Sequence, residues 1–186
     1  MALRSMERGE SMNGDLTMRP GADEYAEYYA GYVERVPTGP ILEILESSIA
    51  ETCALLSSFG EARGDDRYAA GKWSIKEVVG HLIDAERVFA YRLLRFARGD
   101  RTPLEGFDQD AYVREARCDR RTLTDLTEEF RLLRAANLGM FHALDSKELA
   151  RRGNANGKDV SVRALLYILA GHEIHHRNVL REKYRK

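Results

Sequence analysis

The sequence predicts an all-α protein, a four-helix bundle with a long crossover connection. Three observations carry that expectation. Apolar residues recur with a helical period in four long segments. No segment alternates apolar and polar residues as a half-buried strand does. More than twenty residues, GDRTPLEGFDQDAYVREARCDR, separate the second and third segments, too many for a tight turn between antiparallel neighbours.

The first segment runs from about Ile41 to Phe59, where Leu42, Leu45, Ile49, Thr52, Leu56 and Phe59 share one face. Pro40 suits a helix start, and Gly60 with EARGDDR stops the pattern. The second opens at KWSIKE, where Ser74 and Glu77 have capping-box spacing, and ends at Arg98-Gly99. Its apolar face holds Ile75, Val78, Leu82, Ala85, Phe89 and Phe96. The third runs from about Thr122 to Leu144 through Leu126, Phe130, Leu133 and Met140, with Asn137 interrupting the face. The fourth runs from about Ser161 to Tyr184 through Leu165, Leu169, Val179 and Leu180. A short helix is expected around Gln109–Ala116 inside the long connection. RRGNANGKD reads as a flexible polar loop, and the tyrosine-rich EYAEYYAGYVERVPTGP as an irregular arm or short helical turn packed on the body.

The 186 residues suit one domain, expected over 25–186, with 1–24 as a flexible N-terminal arm. Apolar residues make up 44% and charged residues 32%, a globular composition. The net charge of −1 offers no basic excess for phosphates, so nucleic acid is not an expected partner. No stretch reaches the ~18 apolar residues of a membrane span, and the N-terminus has no secretory apolar core. Cys53 and Cys118 lack metal-site spacing and read as reduced thiols, so a cytoplasmic location is expected.

His172 and His176 stand four apart in HEIHH and therefore project from one helical face, in line with Leu165, Leu169 and Val179. His81 belongs to the inward stripe of the second helix, beside Gly80. Gly80 and Gly171 are expected to permit close helix approach. One inward histidine is ordinarily a core residue with ordinary partners. Burying three without partners costs a few kcal/mol each, and a divalent cation removes that cost. The expected ligands are therefore His81, His172 and His176, with an open position for water. Neutral nitrogen donors suit zinc or nickel and tolerate iron or manganese.

His172-Glu173-Ile174-His175-His176 also matches the H-E-x-x-H metallopeptidase pattern, in which the glutamate is the general base. The ten residues after His176 contain no His, Asp or Cys to complete such a site, and no strand is expected to align a peptide. Glu173 then reads as a solvated residue or as an outer partner of the bound water. Asp84, one turn after His81, is the better candidate to orient a ligand histidine, with a surface pair to Arg87 as the alternative. Asn137 is a candidate substrate contact or a register-setting core residue. Trp73, Phe107 and Tyr112 either line a pocket or pack.

GKWSIKEVVGHLIDAE, followed about ninety residues later by AGHEIHHRNVL, resembles the DinB/YfiT-like superfamily over roughly residues 40–184. The resemblance implies a four-helix bundle with an unusual crossover and a metal bound by three histidines, which His81, His172 and His176 match by position. It implies that His175 is not the usual ligand and that LEGFDQDAY frames the site; members are often homodimers, so a homodimer is one expected assembly. Characterised members include thiol S-transferases using bacillithiol or mycothiol and a glutathione-dependent isomerase. The expected function is a metal-dependent enzyme, a thiol S-transferase or hydrolase, activating a low-molecular-weight thiol or water for a small-molecule substrate. The alternative is a non-catalytic metal-binding or stress-related protein.

Overall fold

The computed structural model describes residues 16–185. Its α-helices are α1 (Ala30–Arg35), α2 (Ile41–Phe59), α3 (Ile75–Ala97), α4 (Gln109–Glu115), α5 (Leu123–Phe141), α6 (Ser146–Leu149) and α7 (Val162–Lys183). Between α6 and α7 lies a hairpin of β1 (Arg152–Ala155) and β2 (Lys158–Ser161). The bundle consists of α2, α3, α5 and α7.

Local chemistry sets the helix ends. The Ser74 hydroxyl accepts the Glu77 amide at 3.2 Å, and the Glu77 carboxylate accepts the Ser74 amide at 2.7 Å, so α3 starts on the expected capping box. The Thr122 hydroxyl accepts the Asp125 amide at 3.0 Å to open α5, while Glu61 takes the next orphan donor at Leu123, 2.8 Å away. Ser161 caps α7 by accepting the Ala164 amide at 2.9 Å. Helix α5 stops at Phe141, short of the expected Leu144, because Asp145 and Glu148 begin a new capping box for α6.

Helix α5 packs between α2 and α3, and α7 packs on the other side of both. The cyclic order is therefore α2, α5, α3, α7. Consecutive α2 and α3 stand across the diagonal, as do α5 and α7, so the chain crosses the bundle end twice. The second crossover, residues 142–161, carries α6 and the hairpin. The long connection after α3 carries α4, close to its expected bounds, and returns to α5.

Two expectations need correction. The polar RRGNANGKD stretch is a paired hairpin, with Arg152 opposite Ser161 and Ala155 opposite Lys158. Asn156 and Gly157 turn it with φ of 55° and 72°, the left-handed pair that a two-residue hairpin loop needs. The flexible arm also does not extend to residue 24. Arg19 donates to the Val33 and Val36 carbonyls, and Glu24, 6% exposed, accepts from Ser161 at 2.7 Å and Arg163 at 2.6 Å. Residues 1–15 of the expected arm lie outside the described residues. The tyrosine-rich segment forms a short 3₁₀ turn, Glu27–Tyr29, leading into α1, which packs on α7. No helix among the described residues is long and apolar enough to cross a membrane.

The apolar core is in two parts. One gathers Leu42, Leu45, Phe89, Leu93, Phe141 and Leu165; the other gathers Leu56, Ile75, Val78, Leu82, Phe130 and Leu180. Between them every bundle helix turns polar residues inward: Ser48 and Thr52 from α2, His81 and Glu86 from α3, Arg134 from α5, and His172, Glu173 and Arg177 from α7. This polar belt is where chemistry is concentrated.

Candidate metal centre

His81 on α3 and His172 and His176 on α7 converge in the belt. One nitrogen from each lies within 4.8 Å of the others. His81 Nε2 and His172 Nε2 are 2.9 Å apart. His81 is 3% exposed and His172 6%, while His176 is partly exposed. Aromatic rings enclose them. The Trp73 ring lies 4.8 Å from His81 and stacks 6.4 Å from His176; Tyr32 lies 5.4 Å from His172 and Phe89 6.0 Å.

Burial holds all three imidazoles neutral. It brings His81 down to about 4 against a weaker opposing pull from Asp110, and it drives His172 and His176 well below the ordinary histidine range, with the neighbouring histidines adding to the effect. Among the described residues no carboxylate hydrogen-bonds to any of the three. The set is thus three imidazoles held neutral by burial, of which His81 and His172 hydrogen-bond to each other and His176 has no hydrogen bond among the described residues; such a donor set fits a divalent cation of intermediate softness.

The sign of the pH dependence follows. Unfolding releases these histidines to protonate near the ordinary pKa of ~6.5, whereas the folded chain resists until far lower pH. Their contribution to stability is therefore complete above ~6.5 and declines as pH falls toward about 4, where His81 itself takes a proton. Urea midpoints of metal-free protein are expected to drop over that interval. A His81→Phe/His172→Phe/His176→Phe protein is expected to show a shallower decline.

A tight approach positions α7. A Cβ at Gly171 would stand 2.0 Å from the Tyr32 carbonyl oxygen, so only glycine allows α1 to lie against the turn bearing His172. Gly80 serves a different contact from the expected helix approach: its Cβ would meet Cys118 Sγ at 2.3 Å. Gly171→Ala is expected to cost about 1–3 kcal/mol by overpacking. An unchanged urea midpoint would show that α1 can move aside freely.

The other sequence candidates lie elsewhere. Glu173 is neither solvated nor turned to the histidines. At 1% exposure it accepts from Thr52 at 2.7 Å and pairs with Arg134 Nη1 at 2.9 Å, an ion pair rather than an aligned hydrogen bond. It therefore cannot serve as the free general base of an H-E-x-x-H peptidase. Asp84 makes no hydrogen bond to His81; its charged neighbours are Arg87 and Glu129, and burial raises its pKa. The Asn137 amide donates to Glu86 at 2.9 Å, and Asn137 lines neither cavity beside the histidines. His175, partly exposed, packs edge-on against Tyr32 and His176.

Two cavities flank the cluster. One of about 360 Å³ reaches His81 and His172 and is walled by Tyr32, Phe89, Arg92 and Phe107. The other, about 430 Å³, reaches His175 and His176 and is walled by Trp73, Asp110 and Tyr184. Trp73 and Phe107 thus line cavities, whereas Tyr112 is exposed and packs on Phe107 at 5.1 Å. Arg92 and Arg134, both buried, are not among the residues expected at the site. Each stands in an otherwise inward-facing helical stripe, which was the available signal.

Fold and site together define a four-helix bundle with a three-histidine cluster at its waist. The model of the DinB superfamily matches residues 44–180, and the chain belongs to that superfamily. Comparison with curated proteins gives no match. Among solved structures, the fold is similar to YfiT from Bacillus subtilis, described as a probable metal-dependent hydrolase with an unusual four-helix bundle topology. The TM-score is 0.71 at 16% identity, over 90% of this chain and 92% of that one. It is also similar to a DinB-like protein, YjoA, from Bacillus subtilis, with a TM-score of 0.57 at 23% identity over 80% of this chain and 94% of that one.

Proposed function

We propose that this protein is a metal-dependent enzyme acting on a small molecule, with His81, His172 and His176 as the metal ligands. The observation that carries this reading is the convergence of three neutral imidazole nitrogens within 4.8 Å, those of His81 and His172 buried and that of His176 partly so, beside a cavity large enough for a small substrate. The description of YfiT as a probable metal-dependent hydrolase supports it. Zinc or nickel is the favoured cation, with iron or manganese compatible with the same donors. When bound, the cation would acidify a coordinated water or low-molecular-weight thiol, giving a hydrolase or a thiol S-transferase.

The chain's own residues bind and orient. Trp73 and Phe89 pack on His81 and His172 and limit bulk water at the cluster. Burial, reinforced by Tyr28, pushes the Tyr32 hydroxyl up to about 12, so at neutral pH it remains a proton donor on the wall of the cavity that reaches His172. Thr52 and Arg134 fix Glu173 and with it the turn of α7 carrying the histidines. A cytoplasmic location, read from two free cysteines, and a homodimer belong to the same proposal.

The test uses zinc- or nickel-loaded protein against small esters and amides in one panel, and against low-molecular-weight thiols with monochlorobimane in another. Metal-dependent turnover in either panel, abolished in His81→Ala, is expected and separates hydrolase from transferase. Stoichiometric metal with no turnover above the His81→Ala background would favour a non-catalytic metal-binding protein.

A further inference from the structure

The cavity that reaches His81 and His172 has a charge pattern that metal binding leaves unused. Arg92 and Lys158 line it, and no carboxylate does. Arg92 is 4% exposed, as buried as the other interior arginines. Those have acidic partners: Arg134 pairs with Glu86 and Glu173, and Arg177 with Glu51. Arg92 has none among the described residues. Its Nη2 donates to the Glu105 carbonyl at 2.8 Å, its guanidinium lies 5.9 Å from the Phe89 ring centre, and it reaches the Tyr29 hydroxyl. These contacts do not exhaust the five donors of a guanidinium, nor do they neutralise a charge that a guanidinium cannot shed. A buried cation without a counter-ion is costly unless an anion is supplied from outside.

The placement defines what that anion belongs to. His81, Ala85, Phe89 and Arg92 form one stripe of α3, and all four line the cavity. At 1.5 Å per residue, His81 and Arg92 are about 16 Å apart along the helix axis. Tyr28, Tyr29, Tyr32 and Phe107 supply aromatic wall between the two ends. Lys158, on β2 of the hairpin, is exposed and has no ion pair among the described residues. A guanidinium fork suits a carboxylate or phosphate, and the rings suit an apolar body.

We propose that this cavity is an anion subsite, in which Arg92 and Lys158 hold the carboxylate or phosphate of a substrate whose apolar or aromatic body lies along the tyrosines toward His81 and His172. The inference rests on the metal-site reading for where the substrate reacts. It does not rest on it for where the anion binds.

Calorimetric titration of the full-length, zinc-loaded chain with benzoate, phenyl phosphate and neutral benzamide tests it, with zinc content and melting temperature recorded for each protein. At least one anion is expected to bind, benzamide at least about tenfold more weakly, and the tighter anion names the class. Arg92→Met is expected to lose about tenfold or more in anion affinity with zinc content unchanged. Lys158→Met, at an exposed position, keeps the test informative if Arg92→Met folds poorly, and is expected to weaken the anion severalfold at an unchanged melting temperature. Equal binding of benzamide and benzoate, or wild-type affinity in both variants, would overturn the subsite. Anion binding that persists in His81→Ala, together with unchanged zinc content there, would uphold the subsite and remove the metal-site reading. Normal zinc loading with neither anion held would do the reverse.

Discussion

Replacing Arg134 by Met is expected to destabilise the fold by about 3–5 kcal/mol, since it leaves two carboxylates uncompensated in the interior. Arg134 is fully buried. It holds Glu86 through two hydrogen bonds of 2.9 and 2.8 Å, pairs with Glu173 at 2.9 Å, and donates to the Leu45 carbonyl at 3.1 Å. One guanidinium thereby ties α5 to α2, α3 and α7 at the level of the histidines. The two carboxylates raise its pKa further against the opposing effect of burial, so it stays charged. For a chain of this size the loss corresponds to a fall in melting temperature of roughly 10 °C. The triple variant Arg134→Met/Glu86→Gln/Glu173→Gln removes the stranded charges and is expected to recover a large part of that loss, as buried ion pairs replaced whole often do. A drop below about 1 kcal/mol in the single variant would show that water reaches these carboxylates.

His172→Ala is expected to abolish stoichiometric metal binding. Wild-type protein purified without a histidine tag and loaded with zinc should retain about one cation per chain, as a three-nitrogen site predicts. With His172 gone, His81 and His176 leave only two donors. Affinity should then fall by well over the roughly 10–100-fold that loss of an outer-shell partner costs. A second readout follows by mass action. Zinc at 100 times its dissociation constant stabilises the folded wild type by about 2.7 kcal/mol, and that zinc-dependent rise in melting temperature should vanish in the variant. The same loss in His81→Ala and His176→Ala, with none in His175→Ala, would assign the ligands one by one. Equal zinc content in all four variants would place the metal elsewhere.

Much of this architecture is legible in the sequence because it depends on local periodicity. The observed α2, α3 and α7 differ from their expected bounds by about a residue, since Ser74, Ser161 and the polar segment after Phe59 mark helix ends chemically. The convergence of His81, His172 and His176 also follows from facing: each lies on an apolar stripe, and two such stripes in a bundle must meet. Glu173 was not legible. It is about 100° around α7 from His172, and the sequence does not say that Thr52 and Arg134 await it there. Arg92 and Arg134 went unread because long cationic side chains ordinarily sit at the surface, although both interrupt inward stripes. The hairpin lacks alternation because its four-residue strands include Gly153, whose Cβ would meet Phe96 at 2.1 Å, leaving Asn156-Gly157 as the one usable turn signal.

The proposed metal centre requires the three imidazoles to share one cation. Anomalous diffraction collected at the zinc absorption edge, from crystals of zinc-loaded protein, tests it most directly. One strong peak is expected, bounded by nitrogens of His81, His172 and His176 and about 2.0–2.1 Å from each. Stoichiometric zinc in the crystal with no peak at that point, and the His81 and His172 rings hydrogen-bonded to each other, would contradict it.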